Sequence, residues 1–390
     1  MKARLVPGRP REERRLHPWI YRGEIAEVAG QPVPGDVLDV VDARGRFVGR
    51  GYWNPASQIA IRILSRDEGE AIDRDFFYRR LNTAIAYRAV VVEDADACRL
   101  VNAEADFLPG LIVDRYGEYL VVQTLTLGIE KYKETIVGLL VELLSPTGIY
   151  ERNDASVREL EGLPLRKGVL HGACPPEVSF AEYGLSFWAD ILNGQKTGFF
   201  LDQRENRRAV ARYARGKRVL DCFCYAGGFA VHAAAAGAAE VVAVDISADA
   251  LGWAARHAAA NGVAGRCRFV EANAFDYLRS LAKAGEVFDL VILDPPSFTK
   301  AKEAVPGAVR GYKEINLRAL KLLKPGGYLA TCSCSYHITE NLFLAVVGAA
   351  ARDARRELRL VELRRQAKDH PMLLAAPETY YLKCAIFQVF

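Results

Sequence analysis

The chain has 390 residues, of which 51% are hydrophobic and 26% are charged. This is the composition of an ordinary globular protein, and it excludes a disordered or fibrous chain. The length predicts two or three domains. No stretch approaches the roughly 18 uncharged apolar residues of a membrane helix, and the arginine-rich start lacks the apolar core of a secretory signal. We therefore expect a cytoplasmic protein.

The eight cysteines are too sparse for a disulfide scaffold. Cys222/Cys224 and Cys332/Cys334 are C-x-C pairs without the histidine partners of a zinc site, so no metal is expected. The net charge of +4 is small, but residues 1–65 alone hold eleven Lys and Arg against seven Asp and Glu. This basic N-terminal region weakly favours a nucleic-acid partner.

Residues 1–66 have the pattern of a small β-barrel, in which short apolar stretches alternate with turns. Three strands are predicted, at 37–41, 47–52 and 59–64. The stretch His17-Pro18-Trp19 before them, together with Gly35-Asp36, resembles a PUA domain, which is an RNA-binding barrel. We therefore predict a PUA domain over these residues.

Residues 67–185 predict a middle α/β domain. The expected elements are a helix at 73–92, strands at 111–114 and 119–123, a helix at 131–144 and a strand at 149–152. A polar, turn-rich run is expected from there to Pro176. Because no catalytic constellation lies in this region, we interpret it as a spacer or an RNA-contacting domain.

Residues 186–390 alternate regularly between strand and helix patterns, which predicts a doubly wound parallel sheet. Strands are expected at 219–222, 240–245, 267–271, 290–294 and 328–332, with a late strand at 380–389. Helices are expected at 229–236, 248–261, 276–283 and 313–323. The pattern therefore predicts a single domain of the nucleotide-binding type.

The first strand of this domain contains Asp221 and leads into a glycine turn at Gly227 and Gly228. Asp245 ends the next strand, where a carboxylate can accept both hydroxyls of a ribose. The G-x-G-x-x-G fingerprint and a Walker lysine are absent, which disfavours a dinucleotide and a phosphate-binding loop. Asp221 instead suits a ligand with a positive amine, such as S-adenosylmethionine. Taken alone, the glycine pair is also consistent with a simple turn that needs positive φ.

Polar residues also follow the third and fourth strands. Asn273 and Ala274 stand where such folds place a polar side chain against adenine, and the fourth strand ends in Asp294-Pro295-Pro296-Ser297-Phe298. All of these lie at the carboxyl ends of parallel strands, where open α/β sheets bind ligands. An Asp-Pro-Pro-aromatic elbow is typical of methyltransferases that act on bases, although it could also be a loop that only ends the strand.

The fifth strand leads into Cys332 and Cys334. A cysteine beside a base-holding Asp294 indicates a carbon acceptor, because C5 of a pyrimidine becomes nucleophilic only after a group adds to C6. A thiolate is well suited to that addition. We predict Cys334, at the polar exit of the strand, as the nucleophile. Cys332 fits a core residue equally well, and Cys222 and Cys224 are interpreted as packing residues.

The chain resembles, over essentially its whole length, the bacterial PUA-domain 23S rRNA (cytosine-5) methyltransferases, the RlmI-like family. The motifs that carry this resemblance are His17-Pro18-Trp19, Pro55-Ala56-Ser57-Gln58-Ile59, the run 196–204, the run 225–230, Asp294-Pro295-Pro296, the run 311–316, Ser333-Cys334-Ser335 and Asp369-His370-Pro371. The resemblance implies a PUA domain at 1–66, a middle domain at 67–185 and a Rossmann-like class I methyltransferase domain at 186–390. It also implies S-adenosylmethionine as methyl donor, 23S rRNA as partner, Cys334 as nucleophile and a homodimer.

The family pattern maps the cofactor-binding residues onto Lys196, Thr197, Gly198, Phe199, Asp202, Asp221, Tyr225, Gly227, Gly228, Asp245, Ile246, Asn273, Ala274 and Asp294. The stretch 197–200 is expected to form a lid over the methionine end of the cofactor. Near it, Arg204, Arg207 and Arg208 fit a solvated helix face or RNA contact equally well. Pro295-Pro296-Ser297 lacks the second cysteine of another RNA cytosine-5 class, so product release must use another base. Cys332 is not part of the family pattern.

The mechanism this implies begins with attack of Cys334 on C6 of cytosine while Asp294 holds the protonated N3 or the exocyclic amine. C5 then takes the methyl group, and the target must be unpaired or flipped out of its helix. Two alternatives stay open at this point. A base N-methyltransferase acting on guanine N2 or adenine N6 would use the same fold without a thiol. The second alternative is a non-catalytic RNA-binding assembly factor. The presence of Asp221 and Asp245 argues against it.

Overall fold

The computed structural model describes residues 1–7, 16–299 and 301–390. These residues form two compact units. Unit 1 comprises Met1–Phe180, Ala189–Leu201 and Lys368–Thr379, and unit 2 comprises Ala181–Trp188, Asp202–Ala367 and Tyr380–Phe390. Part of the predicted basic excess, at positions 9, 11, 14 and 15, lies outside the described residues. The division into three domains at residues 66 and 185 stays a prediction.

Unit 1 begins with a six-stranded sheet in the order β2-β6-β5-β4-β1-β3. The strands are β1 (Lys2–Leu5), β2 (Trp19–Tyr21), β3 (Ile25–Ala29), β4 (Val37–Val41), β5 (Phe47–Trp53) and β6 (Ile59–Ser65). Alternate residues of these strands, such as Leu38, Val40 and Ile61, form a small apolar core. The three strands predicted here are present with nearly the predicted bounds.

A second, five-stranded sheet of unit 1 has the order β11-β10-β9-β8-β7. Its elements are α1 (Arg74–Val91), β7 (Ala97–Asn102), β8 (Leu111–Tyr116), β9 (Tyr119–Thr124), α2 (Leu127–Glu130), α3 (Lys133–Leu144), β10 (Gly148–Asn153) and β11 (Arg166–Gly172). The prediction of a turn-rich run up to Pro176 was wrong in part, because this run contains β11. This strand lies at the sheet edge and is mostly exposed, so it lacks the apolar alternation of a half-buried strand. β7 was not predicted either.

Two further strands, β12 (Glu177–Glu182) and β13 (Leu185–Asp190), form a two-stranded sheet. Unit 2 is built on a seven-stranded sheet in the order β16-β15-β14-β17-β18-β20-β19. Its helices are α4 (Arg204–Ala211), α5 (Gly228–Ala235), α6 (Ala248–Ala260), α7 (Ala274–Ala284), α8 (Val305–Leu322) and α9 (Glu340–Ala354). Its strands are β14 (Arg218–Cys222), β15 (Glu240–Asp245), β16 (Cys267–Glu271), β17 (Phe288–Leu293), β18 (Leu323–Ser333), β19 (Leu358–Arg364) and β20 (Lys383–Val389).

Strands β14 to β18 are parallel, and β20 runs antiparallel to both β18 and β19. The predicted doubly wound α/β fold is thereby confirmed, whereas α9 and β19 were not predicted. The strand order reverses at β14, with β15 on one side and β17 on the other. Ligands bind at such a switch point, beyond the carboxyl ends of the strands. The register aligns Cys222 with both Val244 and Leu293, so these strand ends are level.

No helix among the described residues is long and apolar enough to span a membrane.

Candidate active site

The turn after β14 needs glycine at one position. Gly227 has a φ of +75°, and a Cβ there would lie 2.7 Å from the Cβ of Ala254 on α6. Conformation and packing therefore both require glycine, as the turn interpretation predicts. Two non-glycine residues in the same turn, Phe223 and Tyr225, also have positive φ, at 64° and 48°. Such unfavourable backbone conformations concentrate at functional sites, where the surrounding structure holds them in place.

Asp245, at the end of β15, is held by backbone donors. Its Oδ2 accepts a hydrogen bond from the Tyr225 N–H at 2.8 Å, and its Oδ1 accepts one from the Ser247 N–H at 3.0 Å. Each carboxylate oxygen can accept a second hydrogen bond. The half-buried carboxylate therefore retains the capacity for the two ribose hydroxyls predicted for it. Ile246, the next residue, is 69% exposed.

Asn273 and Ala274 lie at the start of α7, close along the chain to the end of β16. The side chain of Asn273 accepts a hydrogen bond from the Phe275 N–H at 2.9 Å and so caps the helix. Ala274 is buried in the core of unit 2. The structure thus gives Asn273 a structural task in addition to the adenine contact predicted for it.

Asp221 is fully buried in β14, and neither of its carboxylate oxygens makes a hydrogen bond of ordinary geometry with a described residue. Its pKa is raised well above the usual value, chiefly by burial and then by the charge of Asp294, with a smaller contribution from Asp245. The backbone N–H of Ala230 acts in the opposite direction. A buried carboxyl without a counter-charge fits the positive amine of S-adenosylmethionine, which supports the predicted cofactor.

Asp294 is the first residue after β17, and its orientation is fixed by two amides at the start of α4. Gln203 Nε2 donates to Asp294 Oδ1 at 2.8 Å, and Asn206 Nδ2 donates to Gln203 Oε1 at 2.7 Å. Both amide side chains are buried. Beside them, Asp202 is also buried and accepts a hydrogen bond from the Tyr381 hydroxyl at 2.7 Å. The contact of Gln203 was not predicted, although the residue lies in a quoted motif.

Cys334 follows β18 directly, is half-buried and has its Sγ 4.0 Å from the carbonyl oxygen of Pro295. The structure therefore brings the Asp-Pro-Pro and Ser-Cys-Ser segments together, as the sequence predicted for two neighbouring strand ends. A hydrogen bond of 2.9 Å between the hydroxyls of Ser297 and Ser335 also joins the two segments.

A buried tyrosine holds both serines of the Ser-Cys-Ser motif. The Tyr312 hydroxyl accepts from Ser333 Oγ at 3.0 Å and lies 3.1 Å from Ser335 Oγ. On the other side, Lys383 Nζ donates to the carbonyl oxygen of Ser335 at 2.7 Å. The residues flanking Cys334 are thus fixed from α8 and from β20. Sequence reasoning missed both contacts, and the only signal was the presence of Tyr312 in a quoted family motif.

Three other cysteines of unit 2 are unsuited to act as thiolates. Cys222 and Cys332 are fully buried and Cys224 nearly so. Burial is the largest cause that raises the pKa of Cys222 and Cys224 well above that of a free thiol. For Cys332 the largest cause is a hydrogen bond with Cys384, followed by burial. These surroundings favour the uncharged thiol in all three.

The predicted lid residues belong to unit 1, whereas the strand-end residues belong to unit 2. Thr197 Oγ1 donates to Asp114 Oδ2 at 2.6 Å, and the Phe199 N–H donates to the Tyr116 hydroxyl at 3.1 Å. Lys196 Nζ lies 4.5 Å from the centre of the Phe200 ring. Lys196 and Gly198 both have positive φ. The cofactor contacts of residues 196–199 stay a prediction.

For two of the three arginines of α4, the prediction of a solvated helix face or an RNA contact was wrong. Arg204 and Arg207 are 1% and 2% exposed, so neither lies on a solvated helix face or an RNA-facing surface. Arg207 is bidentate to the buried carboxylate of Glu182, at 2.6 and 2.7 Å. A buried ion pair is therefore its role, because removing one partner would leave the other charge uncompensated. Arg208 is exposed on α4, in agreement with a solvated helix face, and its guanidinium lies 4.5 Å from the centre of the Tyr183 ring.

Within residues 1–7, 16–299 and 301–390, no group of three or more His, Cys, Asp or Glu side chains is arranged to hold a metal ion.

Comparisons with known proteins agree with this geometry. A PUA-like domain model matches residues 4–66, and a model of S-adenosylmethionine-dependent methyltransferases matches residues 169–384. Ribosomal RNA large subunit methyltransferase I of Shewanella denitrificans is 45% identical over 394 residues, covering 100% of this chain and 99% of that protein. The protein of the same name from Tolumonas auensis is 45% identical over 95% of this chain and 94% of its own.

Among solved structures, a methyltransferase candidate crystallised with SAH has a TM-score of 0.85 at 21% identity, with both chains covered in full. This likeness supports the fold. The chain therefore belongs to the S-adenosylmethionine-dependent methyltransferases, within the family of the ribosomal RNA large subunit methyltransferase I proteins.

Proposed function

We propose that this protein transfers a methyl group from S-adenosylmethionine to C5 of a cytosine in 23S rRNA, through a covalent bond between Cys334 and C6. The relatives that match the whole chain are named as large subunit rRNA methyltransferases, which supports the rRNA substrate. The single observation that carries the cytosine-5 chemistry is the approach of Cys334 Sγ to within 4.0 Å of the Pro295 carbonyl oxygen. A thiol thus lies beside the Asp294 elbow that would hold the base.

S-adenosylmethionine, when bound, supplies the methyl group as an electrophile. In unit 2, Asp245 would hold its ribose, Asp221 would compensate the charge of its amine, and the Gly227 turn would pass close to it. These assignments place the methyl donor at the switch point of the sheet, next to the two segments that would hold the base.

The reaction begins when the Cys334 thiolate attacks C6 and forms the C6–S bond. Asp294 holds the protonated N3 or the exocyclic amine by a hydrogen bond, and the proton on N3 compensates the negative charge that the attack places on the ring. C5 then forms its bond to the methyl group as the methyl–sulfur bond breaks. A base removes the C5 proton, the C6–S bond breaks, and Cys334 leaves as a thiolate. The cytosine must be unpaired or flipped out for C5 and C6 to be reached.

A trapping experiment tests this proposal. With 23S rRNA transcripts that contain 5-fluorocytidine, the C5 substituent cannot be lost as a proton, so the wild-type protein should remain covalently attached to RNA under denaturing conditions. Cys334→Ala should form no adduct and should not methylate ordinary 23S rRNA, while its affinity for S-adenosylmethionine stays unchanged. Cys332→Ala is the matched control and should form the adduct.

Substantial methylation by Cys334→Ala would overturn the cytosine-5 chemistry and favour N-methylation of guanine or adenine, which needs no thiol. An adduct lost only in Cys332→Ala would show that the other thiol is the nucleophile. Mass-spectrometric mapping of methylcytidines in 23S rRNA from cells with and without the gene would identify the modified base.

A further inference from the structure

Lys383 is a buried cation in unit 2 without a carboxylate partner. Its side chain is 1% exposed at the start of β20. Nζ donates to two backbone carbonyl oxygens, those of Ser335 and Tyr381, each at 2.7 Å. It forms no ion pair within 4 Å with any acidic group in the part of the chain that the structure describes. A buried charge normally has a counter-charge, because taking an ammonium out of water is costly.

The pairing of β18 with β20 brings this cation to the predicted nucleophile. Lys383 lies directly opposite Ser333 in the antiparallel register. Its Nζ is hydrogen-bonded to the carbonyl of Ser335, so it contacts the residue that follows Cys334. Cys334, the residue before Ser335, is half-buried, and its Sγ lies 4.0 Å from the Pro295 carbonyl oxygen. The ammonium is therefore fixed against the backbone that carries the thiol.

Other charged and titratable groups surround this pair. From α9, Glu340 accepts a hydrogen bond from Tyr380 at 2.6 Å and lies 3.9 Å from Arg365, so its charge is already engaged. Asp294 is oriented by Gln203 from α4. From α8, the Tyr312 hydroxyl is bound to serine hydroxyls. Tyr312 stays uncharged near neutral pH, because burial raises its pKa to about 12. None of these groups supplies a nearby anion dedicated to Lys383.

We propose that Lys383 is a positioning residue whose ammonium group is the counter-charge of the Cys334 thiolate, and that it keeps this thiol ionised at neutral pH. The inference rests on the proposed function, because it takes Cys334 as the nucleophile. The Sγ–H bond breaks, the proton passes to water, and Lys383 keeps its own proton throughout. A cation next to a cysteine favours the thiolate, which is the form that attacks C6. The arrangement also explains why a lysine is tolerated in this core.

The protonation of Lys383 agrees with this role. Burial lowers the pKa of Lys383 to about 8, while the negative charges of Cys334 and Glu340 act in the opposite direction. The ammonium form therefore still predominates at neutral pH. It would be lost at higher pH, together with its effect on the thiol.

The test is the pH dependence of alkylation of Cys334 by iodoacetamide, followed by mass spectrometry with fragment ions that distinguish Cys334 from Cys332. A free cysteine has a pKa of about 8.5, and we expect an apparent pKa at least about one unit lower for wild-type Cys334. Lys383→Met should raise that apparent pKa and slow alkylation near neutral pH at least about fivefold. Lys324→Met, which changes an exposed lysine of β18, is the matched control and should leave the profile unchanged.

An apparent pKa of wild-type Cys334 less than one unit below that of a free cysteine would overturn the inference, even if Lys383→Met does not fold. A folded Lys383→Met protein with an unshifted Cys334 profile would also overturn it. Alkylation needs neither RNA nor turnover. Failure of this inference is therefore distinct from failure of the proposed function, which is judged by methylation in Cys334→Ala.

Discussion

Two neighbouring regions of unit 2 hold their polar groups in opposite ways. At the ends of β17 and β18, hydroxyls of Ser297, Ser335 and Tyr312 form a continuous chain of hydrogen bonds around the loop of Cys334. In β14, the carboxyl group of Asp221 is fully buried and makes no hydrogen bond of ordinary geometry with a described residue. The first region is held by hydrogen bonds within the protein, whereas the second would be completed by the cofactor proposed to bind there.

The difference fits the roles proposed for the two regions. A nucleophile reacts fastest when its position is set in advance, because little freedom then has to be lost in the transition state. A site for a cationic ligand gains affinity when a carboxyl group there lacks any other partner. If Asp221 binds the cofactor as proposed, the free energy that its burial costs would be recovered when a positive amine is bound.

The largest effect on the rate of methyl transfer is expected at Asp294, which would hold the base. Asp294→Asn should lower the rate of methyl transfer to 23S rRNA by about 10²- to 10⁴-fold, the usual contribution of a positioned acid or base. Single-turnover assays would measure it. Asp276→Asn, which alters an exposed aspartate of α7, is the control and should retain the wild-type rate. A rate within about threefold of wild type in Asp294→Asn would remove this residue from the chemistry.

Gly227→Ala tests whether the turn after β14 depends on positive φ and on close packing against α6. An alanine with positive φ costs about 1–2 kcal/mol, and overpacking against Ala254 adds about 1–3 kcal/mol. We therefore expect the free energy of unfolding in urea to fall by about 2–5 kcal/mol. Gly262 also has positive φ, at +67°, but a Cβ there meets no atom within 4 Å. Gly262→Ala should therefore show only the conformational cost, and equal losses in both variants would disprove the packing argument.

Tyr312→Phe removes the hydroxyl that joins the two serines beside Cys334. The loss of these hydrogen bonds should lower the free energy of unfolding by about 1–3 kcal/mol. Methyl transfer should also slow, by at least about tenfold, with unchanged affinity for S-adenosylmethionine. Tyr213→Phe breaks a hydrogen bond to Glu362 in the same unit. It should cost stability without slowing methyl transfer, and similar rates in the two variants would mean that Tyr312 only supports the fold.

Asp221→Asn tests whether ionisation of the buried Asp221 carboxyl group lowers the stability of the folded protein. The folded state of the wild type holds the Asp221 proton more tightly than the unfolded state, because burial raises its pKa well above 3.8. Ionisation above pH 4 therefore costs stability. The difference in free energy of unfolding, variant minus wild type, should increase as pH rises from about 4 and level off above the raised pKa.

The same substitution should weaken binding of S-adenosylmethionine about tenfold or more, because a charged hydrogen-bonding partner of the amine is lost. Urea unfolding over a pH series and calorimetry of the cofactor measure the two effects. A pH-independent difference in stability would contradict the assignment of the buried charge, and unchanged affinity would contradict its role in binding.

Much of the fold of unit 2 follows from local sequence pattern. β15 and β16 have the predicted bounds, because each is a short stretch bounded by turn residues that fits a strand. β19, at the edge of the sheet, was missed because its charged residues Arg359, Glu362 and Arg364 do not keep the two-residue period of a half-buried strand. β7 and β11 of unit 1 are also strands at sheet edges. β16 lies at the opposite edge of the unit 2 sheet and was predicted, so a strand escapes single-sequence reasoning when its own pattern is irregular and only pairing with its neighbours defines it.

The candidate site shows the same limit. Asp294 and Cys334 could be predicted because each stands in a short motif at a strand end. Gln203 reaches Asp294 from 91 positions earlier in the chain, and Lys383 reaches Ser335 from 48 positions later. Contacts over such separations depend on the strand order of the sheet. The residues proposed to bear the chemistry were therefore accessible from sequence, whereas those that orient them were not.

The position of β20 has a consequence for the order of folding during synthesis. Of the seven strands of this sheet, β20 is translated last, yet it lies between β18 and β19. Until it emerges from the ribosome, both of those strands have an unpaired edge, and long-range pairing of this kind is slow. The loop of Cys334 would also lack Lys383 during that time. If Lys383 activates Cys334 as proposed, a nascent chain would acquire its full reactivity only when the sheet closes.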